Sequence, residues 1–329
     1  MKTIFVQFFT LLAAALGFYP SEKWFLPASF NAKSWLGGYK SRPQYWDLDI
    51  DEDRPKPILL DLKIKGFSIK LYYLRAKSST SKVVSVCYHG QTKAVGALYT
   101  EFWSLLGNDT DLILVNFFGY GTIDQDRSQP LSTAAAATFD ELLNVIPAAI
   151  QKQIFEPDVL DWTHFDPRMV RRNDRILEVK PLDEDATSSL PKTFTDYKIV
   201  PFGRSFGASL ALKHEKKWPV CLYMPYLGRQ NVTGPRFLRP LVQWALERLP
   251  FPEAKFDDAL SGERRSLVII AKDDQVVGKP DPEVLSDLQS KGRLYTINGD
   301  HGALPDPGCK IIVRDFMAEM GQEQSTRPH

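Results

Sequence analysis

The stretch Lys198-Ile199-Val200-Pro201-Phe202-Gly203-Arg204-Ser205-Phe206-Gly207-Ala208-Ser209-Leu210-Ala211-Leu212-Lys213 decides how the rest of the chain is read. Its apolar start predicts a strand over 198–202, and its alanine- and leucine-rich end predicts a helix over 208–216. Gly203-Arg204-Ser205-Phe206-Gly207 must join the two, with a glycine on either side of the serine. A turn that sharp holds the serine in a strained backbone conformation and lifts its hydroxyl above the sheet edge. Side chains in place of the glycines would strike neighbouring backbone. The five-residue pattern alone is weak, since about 0.1 matches are expected by chance in a chain of this length at average Gly and Ser usage. Its position between a strand and a helix makes it informative. Pro201 is the discordant residue, because a proline in a central strand forfeits a ladder hydrogen bond.

Outward from that stretch the chain alternates between strand and helix patterns. Residues 58–65 and 67–76 read as two strands joined at Gly66. The apolar run 82–88, ending at His89-Gly90, fits a strand buried on both faces, as does 112–118 before Gly119-Tyr120-Gly121. Further strands are predicted over 220–224, 266–271 and 293–297. Helices are predicted over 97–106, 133–153 (kinked by Pro147), 235–249, 282–289 and 309–320. This alternation predicts an α/β fold: a mainly parallel central sheet with helices on both faces. One domain over 58–320 accounts for it. Residues 154–196 are rich in charge and proline and read as a surface insertion or lid. Residues 20–57 form an aromatic lead-in, and 321–329 a flexible polar tail.

The bulk numbers set limits. The chain has 329 residues, 43% hydrophobic and 25% charged, with 41 basic against 40 acidic side chains. A net charge of +1 offers no basic excess to neutralise phosphates, so no nucleic-acid partner is expected. Cys87, Cys221 and Cys309 are far apart in sequence and fit neither a disulfide framework nor a zinc site. At the N-terminus, Met1-Lys2 precedes an apolar stretch over 4–19, with Ala15 and Gly17 suited to a cleavage site. Residues 1–19 read either as a signal peptide or membrane anchor, which implies a secreted or membrane-associated protein, or as an N-terminal helix that stays buried or on a membrane surface.

A serine hydroxyl needs a base to act as a nucleophile at neutral pH. In the strand–serine–helix arrangement the partners follow in the order serine, acid, histidine. The chain has five histidines, and only His301 and the terminal His329 lie well beyond Ser205. His301, in Asn298-Gly299-Asp300-His301-Gly302, follows the last predicted strand and is the expected base. The acid is expected after the strand 266–271, where Lys272-Asp273-Asp274-Gln275-Val276-Val277 offers two carboxylates. Asp274 is the better placed, because Val276-Val277 then re-enter the fold, and Asp273 serves the loop. Two backbone N–H groups must face the developing oxyanion. Phe206, next after Ser205, supplies one, and Gln91, after His89-Gly90, is the candidate for the other. His89 reads as a structural histidine within that loop.

With these residues in place, the chain resembles the α/β-hydrolase superfamily over about 58–320. Gly203-Arg204-Ser205-Phe206-Gly207-Ala208 is similar to the G-R-S-x-G-G elbow of small, often membrane-anchored serine hydrolases, among them lysophospholipid and monoacylglycerol lipases and protein depalmitoylases. His89-Gly90, Phe118-Gly119-Tyr120-Gly121, Asp274-Gln275-Val276-Val277 and Gly299-Asp300-His301 repeat that group's order of landmarks. The departures are Ala208 for the usual glycine, Gln91-Thr92 for Asn-Ala, and the long segment 154–196. The resemblance implies hydrolysis of a carboxylic ester or thioester through an acyl-enzyme, on a small-molecule or lipid-like acyl substrate. It implies neither a metal nor an organic cofactor. A catalytically silent binding protein on the same fold, or a serine peptidase or acyltransferase, are the alternatives.

Overall fold

The computed structural model describes residues 58–64, 67–77, 82–90, 99–107, 109–115, 145–152, 171–172, 175–176, 193–226, 240–241, 244, 265–274, 277 and 281–322. The expectations for 1–57, for Gln91, for 116–144, for the helix 235–249 apart from three of its positions, for most of the 154–196 segment and for the tail from 323 onward lie outside them.

Ten strands and four helices are described in full. β1 (Ile58–Ile64), β2 (Phe67–Leu74), β3 (Val83–Tyr88), α1 (Tyr99–Leu106) and β4 (Asp111–Val115) come first. β5 (Arg171–Arg172) and β6 (Arg175–Ile176) make a separate two-stranded antiparallel pair within the expected insertion. β7 (Lys198–Arg204), α2 (Phe206–Leu212), β8 (Val220–Tyr223), β9 (Ser266–Ala271), α3 (Pro282–Ser290), β10 (Leu294–Ile297) and α4 (Pro307–Gln322) complete the series. Residues 145–152 are also helical, across Pro147.

Eight strands form one sheet in the order β1-β2-β4-β3-β7-β8-β9-β10. β2 runs antiparallel to β1 and β4, and every pair from β4 through β10 is parallel. The chain has the α/β-hydrolase fold. Strand alternation sorts the side chains onto two faces. Val84, Val86, Tyr88, Ile113, Ile199 and Leu222 pack on one side with α2 and Leu288 of α3. Cys87, Leu114, Val200, Phe202, Cys221 and Ile269 pack on the other with α1 and α4. β3 and β4 are buried along their whole length, which explains their largely apolar sequences, interrupted only by Ser85 and Asp111. Phe202 meets Phe102 of α1 edge to face at 5.5 Å, and truncating such a buried phenylalanine costs roughly 3–5 kcal/mol.

Several expected boundaries move, among them the end of the helix expected to 216, which stops at Leu212. β7 runs to Arg204 and α2 starts at Phe206, so the strand enters the glycine motif and the helix begins directly behind Ser205. α4 begins at Pro307, where Asp306 caps it by accepting the Cys309 N–H at 2.7 Å. It ends at Gln322, so Gly321 and Gln322 belong to the helix and not to the tail. The lack of a side chain at Gly321 lets α4 settle on the sheet, since a Cβ there would lie 3.1 Å from Val83 Cγ2.

Pro201 also finds its place. The Ser205 N–H donates to Tyr223 O, so alternate residues 203 and 201 direct their backbone toward β8. Pairing with β8 starts only at Phe202↔Cys221. The missing Pro201 donor therefore falls beyond the end of that ladder, where none is needed.

Candidate active site

Ser205 occupies the corner between β7 and α2 with φ 54° and ψ −120°, a left-handed conformation that costs a non-glycine residue about 1–3 kcal/mol. The surroundings hold it there. Its N–H donates to Tyr223 O at 2.9 Å, and its carbonyl accepts from Ala208 N–H at 3.0 Å and Tyr226 N–H at 3.1 Å. The two flanking glycines are steric necessities. A Cβ on Gly203 would lie 2.3 Å from Gly207 O and 2.4 Å from Ala208 Cα. A Cβ on Gly207 would lie 2.3 Å from Tyr88 O and 2.5 Å from His89 O. Ala208, in place of the expected glycine, is fully buried, and its methyl joins the core under α2.

The two partner loops leave neighbouring strands at the same sheet edge. β9 and β10 are paired through Ala271↔Ile297, and the pairing continues past the strand ends. Lys272 N–H donates to Ile297 O and Asp273 N–H to Gly299 O, each at 2.9 Å. The chain then delivers Asp274 from one loop and His301 from the other. His301 Nδ1 lies 2.7 Å from Asp274 Oδ2, and His301 Nε2 lies 2.8 Å from Ser205 Oγ. A carboxylate only accepts, so Nδ1 carries the proton and donates to Asp274. Nε2 is left to accept from the Ser205 hydroxyl. The Asp274 side chain is 3% exposed, and its Oδ1 accepts the Val277 N–H at 3.2 Å. Val277 itself is buried, which anchors the loop behind the acid. Asp273 is exposed and faces solvent.

The loop after β3 also reaches the serine. Tyr88 pairs with Gly203, and a Cβ on Gly90 would lie 3.4 Å from Ser205 Cβ. His89 is buried, with Nδ1 donating to Gly90 O at 2.6 Å, the structural bond expected of it. Phe206 opens α2, immediately behind the serine.

The structure adds contacts that sequence reading missed. Arg204 is buried, and its Nε lies 2.7 Å from Glu101 Oε1 of α1. Its Nη2 lies 3.5 Å from His301 O. The Tyr223 hydroxyl donates to Ala303 O at 2.9 Å. A charged residue inside a strand-to-helix motif was the available signal, but its partners come from distant parts of the chain.

No rival nucleophile stands out among the described cysteines. All three are buried and free of disulfides, and burial pushes the Cys87 and Cys309 thiols up to about 12 and raises the Cys221 thiol as well. Among the described residues no group of His, Cys, Asp and Glu side chains could hold a metal ion, and no helix is long and apolar enough to cross a membrane.

No family model matches the sequence, and no curated protein matches it. Solved structures resemble it. A Staphylococcus aureus protein of unknown function is 14% identical, over 80% of this chain and 98% of its own, with a TM-score of 0.48. An esterase from Pyrococcus furiosus is 13% identical, over 87% and 100%, with a TM-score of 0.48. Brefeldin A esterase, described as a bacterial homologue of human hormone-sensitive lipase, is 14% identical, over 97% and 87%, with a TM-score of 0.48. None of these likenesses bears on the substrate of this chain.

Proposed function

We propose that this chain is a serine hydrolase that cleaves carboxylic esters or thioesters through an acyl-enzyme. The observation that carries the reading is the unbroken chain of contacts Asp274–His301–Ser205, at 2.7 and 2.8 Å, ending on a serine held above the sheet edge.

Each group has one task. His301 Nε2 takes the Ser205 proton as Oγ attacks the acyl carbon, and the carbonyl π pair moves onto oxygen. The N–H of Phe206 and that of Gln91 hold the resulting oxyanion, each worth about 3 kcal/mol of barrier. When the tetrahedral intermediate collapses, the bond to the leaving alkoxide or thiolate breaks, and His301 returns the proton to that group. Water then repeats the attack on the acyl-Ser205 ester. His301 takes the water proton and gives it back to Ser205 Oγ as the carboxylic acid departs. Asp274 holds the imidazole in the tautomer with Nε2 unprotonated and stabilises the imidazolium that forms in each half-cycle. Protons and electrons balance among substrate, water and these side chains.

A fluorophosphonate probe tests the reading, because it phosphonylates a serine only when the hydroxyl is activated. The wild type should label and should turn over an ester such as p-nitrophenyl butyrate. Ser205→Ala should do neither, with a loss of roughly 10⁶-fold in kcat. A folded wild type that does not label would favour the silent binding protein, and labelling that persists in Ser205→Ala would move the nucleophile elsewhere.

A further inference from the structure

Arg204 and Tyr223 stand one behind the other beneath the loop that carries His301. They are paired across β7 and β8, Arg204↔Tyr223, and each ends its strand. Tyr223 packs in the core on the α1 and α4 face, and Arg204 reaches Glu101 on that same side. Arg204 reaches His301 O, and Tyr223 reaches Ala303 O, the carbonyls on either side of Gly302.

Such a loop needs restraint. Gly299 has φ 111°, and Gly302 removes a side chain from the other flank. Asp300 closes the local turn, its carbonyl accepting the Ala303 N–H at 2.9 Å and its Oδ1 accepting the Gly302 N–H at 2.8 Å. Those bonds shape the turn but do not tie it to the sheet. The β9 exit holds the start of the loop through Asp273 N–H to Gly299 O and holds the imidazole through Asp274, and Arg204 and Tyr223 add two ties to the backbone carbonyls of residues 301 and 303.

We propose that Arg204 and Tyr223 form a two-point clamp on the His301 loop, with Glu101 holding the guanidinium in place, and that the clamp sets the His301–Ser205 separation. These are positioning residues that act through His301, and the proposal rests on the hydrolase reading above. The energetics favour a positioning role over a stabilising one. Burying an arginine and a glutamate is expensive, and a well-packed apolar pair would often be as stable or more so. Their side chains are 11% and 10% exposed, so most of the desolvation cost is incurred. Arg204 Nε and Glu101 Oε1 lie 2.7 Å apart as a charge pair without hydrogen-bond alignment, while Nη2 of the same planar group faces His301 O, a reach from one rigid group that lysine lacks. The two points differ in strength. Tyr223 makes a bond of ordinary length, whereas 3.5 Å is long, so Arg204 holds His301 O chiefly by charge–dipole attraction. Burial raises the Tyr223 phenol well above its ordinary pKa, which keeps it a donor throughout the working range.

Tyr223→Phe, Arg204→Lys and the double variant test the clamp in the full chain. The measurements are kcat and KM on p-nitrophenyl butyrate, the rate of fluorophosphonate labelling, and the thermal unfolding midpoint. Misplacing a reacting group by a fraction of an ångström predicts a fall of about tenfold in kcat and labelling rate for each single variant, with KM within about twofold. Tyr223→Phe should unfold within a few degrees of the wild type. Lysine keeps the charge but not the fork, so charge balance with Glu101 alone would leave Arg204→Lys at the wild-type kcat. Wild-type kcat and labelling in both single variants overturn the clamp, as does a raised KM with kcat unchanged. If Arg204→Lys fails to fold, Tyr223→Phe decides by itself. A wild type that neither labels nor hydrolyses overturns the hydrolase reading and the clamp together, whereas a labelled wild type with variants of equal rate overturns the clamp alone.

Discussion

Two buried aspartates sit at opposite ends of the central sheet, and their difference separates a structural staple from the proposed reactive centre. Asp111 opens β4, and Asp274 follows the end of β9. Both accept from a backbone N–H and from a side-chain donor. Asp111 accepts from Ala76 N–H at 2.7 Å and from the Tyr73 hydroxyl at 2.8 Å. Asp274 accepts from Val277 N–H at 3.2 Å and from His301 Nδ1 at 2.7 Å. What matters is where each chain of bonds leads. Tyr73 is fully buried, and burial drives its phenol far above the ordinary value, so the proton stays where it is. His301 passes the chain on through its second ring nitrogen to a partly exposed serine. A carboxylate at the root is common to both. Only one root leads to an imidazole, which can give a proton at one nitrogen and take one at the other.

Asp274→Asn should break the comparison most sharply. An amide in place of the carboxylate stabilises the wrong histidine tautomer, so kcat should fall by about 10⁴-fold while the unfolding midpoint changes little. A folded Asp274→Asn enzyme with near wild-type kcat would remove Asp274 from the mechanism. Gly207→Ala comes next and tests the frame rather than the proton path. The new methyl would press on the Tyr88 and His89 carbonyls at 2.3 and 2.5 Å, both of them backbone in β3 and its exit loop. Backbone there cannot yield cheaply, so a loss of about 3 kcal/mol or more in stability is expected by chemical denaturation. An unchanged denaturation midpoint would show that the corner is looser than its contacts imply.

These contacts also show which parts of the molecule are legible from sequence. Val83–Tyr88 and Ser266–Ala271 are almost continuously apolar because both faces of the sheet are covered, so their strand character is written in the residues themselves. Ser205, Asp274 and His301 are legible by order and by the small or turn-forming residues around them, and the structure brings those three together. Arg204 and Glu101 are not, because a charged residue in a motif reads as surface until its partner is known. His301 is 97 residues further along the chain from Arg204, and no local period connects them. The helix ends moved for a related reason. The cap at Asp306 and the seating of Gly321 on Val83 depend on tertiary contacts, whereas the apolar stripe of α4 does not.

The smallest effect concerns Asp111, and it sharpens the contrast from the stable end. Burial raises the Asp111 carboxyl above its ordinary 3.8, against the smaller opposing pull of the Ala76 and Tyr73 hydrogen bonds. The folded state therefore holds that proton more tightly than the unfolded chain does. The stability this contributes is complete below the ordinary value and is lost as the pH rises through the raised one. Asparagine has no proton to lose, and it can accept from Ala76 with its oxygen while its amide donates to the Tyr73 oxygen. Asp111→Asn should thus gain on the wild type in unfolding free energy as the pH rises from about 4 through the raised value. Its kcat should match the wild type throughout, because no proton path joins Asp111 to Ser205. Parallel stability profiles would show that the hydrogen bonds outweigh burial at Asp111. A change in kcat would show that the two aspartates are coupled across the sheet through β3, β7 and β8, the strands that lie between β4 and β9.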